Sequence, residues 1–112
     1  MGRGLPSGGS SCRARLRAHF AAIAGEETAA LLAATLLGSV SGSLAALRAA
    51  RARDDLPGVR ATLHKMRGAL LNGGLDAEAS AAHALEIGDA GERWSRDVEA
   101  FEAEIEALTR DG

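Results

Sequence analysis

Between Glu92 and Thr109, Trp94, Val98, Phe101, Ile105 and Leu108 recur at spacings of four, three, four and three. That rhythm follows the turn of an α-helix and gathers the apolar side chains on one side. Glu99, Glu102, Glu104 and Glu106 lie between them and read as a solvated face. A helix divided in this way is stable only when its apolar stripe meets another apolar surface, so the rest of the chain must supply one.

What the chain supplies is more helix. Hydrophobic residues make up 46% of the sequence, but aromatics only 3% and tyrosine is absent, so the apolar content is largely Ala and Leu. Strands favour β-branched and aromatic side chains, whereas Ala and Leu are strong helix formers. No segment reads as a strand. At 112 residues the chain is of single-domain size with one modest core.

Met1 to Ser11 holds four glycines, three serines and a proline, too little apolar surface to offset the cost of ordering. We therefore expect a linker over residues 1–11 and an ordered domain over 12–112. Leu16, Phe20 and Ile23 place one apolar face on a short helix over about 13–24, which Gly25 ends. A long helix follows over about 27–52, with Glu26 and Glu27 at its positive end and Arg48, Arg51 and Arg53 at its negative end. Its stripe is Leu32, Leu36, Val40, Leu44 and Leu47; Gly38 and Gly42 weaken it locally or admit a close neighbour.

Asp54 and Asp55 are N-cap candidates ahead of Pro57, a residue suited to a first helical turn. Val59, Leu63, Met66 and Leu70 are the buried stripe of the helix they open, and Asn72-Gly73-Gly74 ends it. Asp76 can cap a further helix over about 77–87, with Ala79, Ala82, Leu85 and the stem of Glu86 inward. Gly88 to Gly91 then separates it from the last helix. Five helices joined by short connections imply an all-α, antiparallel bundle.

Several functions are excluded or disfavoured. A net charge of −2 lacks the concentrated basic surface that nucleic acid or an anionic membrane requires. The single cysteine, Cys12, rules out an internal disulfide and fits a reducing, cytoplasmic compartment. The apolar run Ala29 to Val40 is about a dozen residues, short of the ~20 of a membrane span, and the N-terminus has no signal-peptide apolar region. A di-metal bundle carries Glu three residues before His, but Leu16, Ala61 and Ser80 precede His19, His64 and His83 at that distance. No metal is expected, and His19 and His83 read as structural.

His64 is different. On a helix it shares its patch with Arg60, Arg67, Gly68 and Leu71, while Leu63 and Met66 turn inward, so the imidazole stands at the rim of the bundle. A neutral imidazole nitrogen is a nucleophile near pH 7. Toward a phosphoryl group a protein need add only positioning and positive charge, which Arg67, Lys65 and Arg60 are placed to supply. Gly68 leaves the approach on the C-terminal side uncrowded.

The segment His64-Lys-Met-Arg-Gly68, with Asn72 and the glycines behind it, resembles the histidine-containing phosphotransfer (HPt) family, whose motif runs roughly His-x-Leu-Lys-Gly. The likeness extends over about Arg13 to Arg110, with Arg67 where the family usually has lysine and Lys65 where it usually has an uncharged residue. It implies an up-and-down four-helix bundle with a short leading helix and phosphorylation of His64, with Arg67 and Lys65 assisting. It also implies a monomer without its own ATP site, exchanging phosphoryl groups with aspartates of response-regulator receiver domains downstream of a sensor or hybrid kinase. Docking would use Arg60, Gly68 and Leu71, and Mg2+ would sit on the receiver. The alternative is a non-catalytic helical docking or dimerisation module, for which Leu70-Leu71 is a candidate apolar patch.

Overall fold

The computed structural model describes residues 12–110, so the linker expected at residues 1–11 lies outside the described residues. Five helices account for nearly all of the described chain: α1 (Cys12–Ala24), α2 (Glu26–Ala52), α3 (Leu56–Asn72), α4 (Asp76–Ile87) and α5 (Glu92–Arg110). No strand occurs among the described residues. Each helix packs on the next in sequence, and α5 returns to α2, which closes a ring of α2, α3, α4 and α5 with α1 laid on α2.

The stripe expected on α3 is the centre of the core. Val59, Leu63, Met66 and Leu70 are all buried, the last three completely. Each such side chain contributes on the order of 1.5–3 kcal/mol of transfer free energy. Val98, Phe101 and Ile105 of α5 join them, while Trp94 and Leu108 pack from the edge. Asp55 caps α3: its Oδ1 accepts from the Gly58 N–H at 3.0 Å, with Pro57 in the first turn.

The end of α3 explains its two glycines separately. Gly74 has φ of 73°, a left-handed conformation that non-glycine residues adopt at a cost. Gly73 has an ordinary φ of −90°, and what it provides is room. A Cβ there would meet methyl groups of Leu36 and Leu16 at 2.3 and 2.6 Å.

The structure departs from several expectations. On α1, Leu16 is buried but Ile23 is 67% exposed, so the helix end turns away from the core. On α2 the buried face is Ala29, Ala33, Leu37, Val40, Leu44, Leu47 and Ala50, with Leu32 and Leu36 only half-buried. Gly38 and Gly42 admit no close neighbour, as nothing lies within 4 Å of a Cβ built on either. Asp76 is the first residue of α4 and not its cap; Leu75 holds that position, and Asp76 and Glu78 sit where the helix dipole favours acids.

The acidic side of α5 is also more than a solvated face. Glu102 is buried and accepts two 2.7 Å hydrogen bonds from Arg51 Nε and Nη2 on α2. Arg48 lies 3.7 Å from the same carboxylate and 3.0 Å from Glu106. The hydrogen bond to Glu102 raises the Arg51 pKa, and that from Arg48 lowers the Glu106 pKa. These pairs tie α2 to α5. By length and composition α2 is apolar enough to cross a bilayer, a longer run than the dozen residues counted above, and a third of its most apolar window is buried in this fold.

Candidate functional site

His64 lies near the middle of α3, one residue past the buried Leu63, and its side chain is 66% exposed. The rim position expected from helical spacing is the one observed. Its Nδ1 is 2.9 Å from Glu86 Oε2, on the last turn of α4. As a carboxylate Glu86 can only accept, so the Nδ1–H of His64 donates and the lone pair of the neutral ring falls on Nε2. The nitrogen farther from the backbone is thereby the one with a lone pair free to meet a partner.

Sequence spacing assigns Glu86 only an inward aliphatic stem and gives no sign that its carboxylate reaches His64. It also reaches His83, whose Nδ1 is 3.8 Å from Glu86 Oε1. Both atoms are buried without a hydrogen-bond partner. His83 thus stands one turn before Glu86 on the same carboxylate that holds His64, and is not the isolated residue its alanine-rich surroundings suggested. A spacing of three along a helix was the only available signal.

The basic residues divide. Lys65 is exposed and Arg67 half-buried, and neither has an ion pair among the described residues. Arg67 lines a groove of about 270 Å³ between α3 and α4 with Leu71, Ser80, His83 and Ile87. Arg60 is engaged elsewhere: its Nη1 donates to the Glu86 carbonyl, and its guanidinium lies 5.3 Å from the centre of the Trp94 ring. It borders the His64 patch without presenting a free cation.

Around His64 the surface is open. Nothing lies within 4 Å of a Cβ built on Gly68. Leu71 is 44% exposed and Ile87 66%, while Leu70 belongs to the core. Among the described residues no cluster of three or more His, Cys, Asp or Glu side chains could hold a metal ion. His19 is structural: its Nε2–H donates to the Asn72 carbonyl at 2.9 Å, and it packs edge-on against Phe20.

The arrangement is an imidazole with one nitrogen held by a carboxylate and the other open to a partner, next to positive charge. No curated protein and no solved structure matches the chain. The sequence model of the Hpt domain matches residues 31–111, which takes in α3, α4, α5 and most of α2. A nucleophilic histidine displayed on a helical bundle is what histidine phosphotransfer in phosphorelays requires, and the chain belongs to the Hpt domain family.

Proposed function

We propose that His64 is the phosphocarrier of a multistep phosphorelay, taking a phosphoryl group from the aspartate of one receiver domain and passing it to that of another. The observation that carries this reading is the His64–Glu86 pair. The Nε2 lone pair attacks phosphorus, the bond from phosphorus to the aspartyl oxygen breaks, and the carboxylate leaves with the electron pair. The ring keeps its Nδ1 proton and becomes cationic, and the Glu86 carboxylate, 2.9 Å away, balances that charge. The return step reverses each change.

Arg67 and Lys65 supply positive charge to the transferring phosphoryl group. Gly68 and Leu71, with Arg60 at the edge, form the surface on which a receiver docks and brings its Mg2+. The chain needs no ATP site for this role, and acts as a monomer in the cytoplasm. The bundle that supports it is an antiparallel up-and-down four-helix bundle formed by α2 to α5, led by α1, within a domain over 12–112. Short connections between successively packed helices support that arrangement.

The test is to mix the protein with a phosphorylated receiver domain and characterise the label. An acid-labile, base-stable label on His64 Nε2, seen by 31P and 15N NMR, is expected. Label on another residue, or undiminished labelling of His64→Gln, contradicts the proposal.

A further inference from the structure

Glu86 holds His64, and Glu86 is itself held. It lies next to the end of α4, where backbone carbonyls lose their intrahelical partners and a helix frays. Two successive carbonyls there are satisfied by side chains from two other helices. Trp94 Nε1–H of α5 donates to the Leu85 carbonyl at 2.8 Å, and the Gly88 N–H reaches the same oxygen only at 3.4 Å. The Glu86 carbonyl accepts from Arg60 of α3, and the Arg60 guanidinium lies 5.3 Å from the centre of the Trp94 ring.

We propose that Arg60 and Trp94 are positioning residues for His64 that act through Glu86. They hold the backbone at 85–86, so that the carboxylate stays within hydrogen-bond reach of Nδ1 and the lone pair stays on Nε2. The inference rests on the phosphocarrier reading of His64.

Arginine suits this task because a planar guanidinium can stack on an indole while donating to a carbonyl. Arg60 also precedes His64 by one turn on α3, so one helix carries both the nucleophile and the clamp on its partner. Sliding α4 along α3 would disturb both contacts together. Without the clamp, the chain entering Gly88 to Gly91 leaves the last turn of α4 free to fray. A displacement of about 1 Å at a reacting group can cost on the order of a hundredfold in rate.

The experiment measures the tautomer of neutral His64 by 15N NMR in the wild type and in Arg60→Met, Arg60→Lys and Trp94→Phe, with helical circular dichroism as the control for folding. Trp94→Phe removes one hydrogen bond and keeps a ring under the guanidinium. Wild type and Arg60→Lys are expected to carry the proton on Nδ1, and Arg60→Met and Trp94→Phe to show a mixture with the Nε2–H form. Labelling by a phosphorylated receiver should fall roughly tenfold in Arg60→Met and recover in Arg60→Lys. If Arg60→Met does not fold, Trp94→Phe decides the matter. An unchanged Nδ1–H tautomer in every folded variant overturns the proposal. The tautomer needs no phosphoryl donor: a tautomer shift with no labelling of even the wild type supports the positioning and overturns the phosphocarrier reading.

Discussion

Glu86 Oε2 stands 2.9 Å from Nδ1 of His64, across the α3–α4 interface and 22 residues away in sequence. In the proposed transfer the pair does two things at once: it fixes which ring nitrogen attacks, and it places a negative charge where the ring becomes positive. The two can be separated. Glu86→Gln keeps an acceptor for Nδ1–H but removes the charge, whereas Glu86→Ala removes both. Receiver-to-His64 transfer should slow about tenfold in the first and closer to a hundredfold in the second, as stopped-time labelling would show. Equal rates for the two variants would mean that the charge of Glu86 is immaterial.

Three exposed mid-helix glycines, Gly38, Gly42 and Gly68, have open space where a Cβ would go. Alanine at each should therefore stabilise its helix, by up to about 1 kcal/mol in urea unfolding. Function should divide them: transfer should fall in Gly68→Ala, and further with a larger residue, and stay at the wild-type rate in Gly38→Ala and Gly42→Ala. A normal rate in Gly68→Leu would remove the access argument.

Gly74 should behave in the opposite way. Its φ of 73° disfavours any side chain, and a Cβ would lie 2.5 Å from His19 Nδ1. Gly74→Ala should lose about 1–2 kcal/mol of stability by the strain of the left-handed conformation alone, measured by urea unfolding at neutral pH.

Of the ion pairs between α2 and α5, Arg51–Glu102 has the most buried carboxylate. Glu102→Ala removes both hydrogen bonds from Arg51 and leaves a gap where α5 meets α2. A loss of about 2 kcal/mol is expected, below that for a fully buried pair because Arg51 still reaches water. Arg48 holds the Glu106 carboxyl below its usual pKa. Its contribution is present above the unfolded-state value and is lost as pH falls through the lower folded-state value. Removing Arg48 should accordingly lower stability by a constant amount at neutral and basic pH, and the difference from the wild type should vanish as pH falls through the two values.

The sequence was most informative where polar and apolar residues alternate sharply. Val59, Leu63, Met66 and Leu70 could be assigned to the core because Arg60, His64, Lys65 and Arg67 mark the other side of their helix. On α2 the signal is flat: Ala and Leu run around much of the helix, so the stripe through Leu32 and Leu36 and the observed one through Ala33 and Leu37 satisfy helical spacing equally well. Only the packing of the other helices around α2 distinguishes them. The site shows the same division. His64, Gly68 and Leu71 follow from positions along one helix, but Glu86 meets His64 only when α4 packs on α3, and Glu102 differs from Glu99, Glu104 and Glu106 in being buried with two hydrogen bonds from Arg51. Arg60 could be placed beside His64 from spacing; that it turns toward Trp94 and the Glu86 carbonyl depends on two further helices.

The most direct measurement of the relay is the return leg. His64-phosphorylated protein, freed of its donor, is mixed with an unphosphorylated receiver domain and Mg2+. Loss of label from His64 and its appearance on the receiver aspartate within seconds, together with no label on His64→Gln in the loading step, is the predicted result. A His64 label that persists in the presence of every receiver that can load it would contradict the phosphocarrier account.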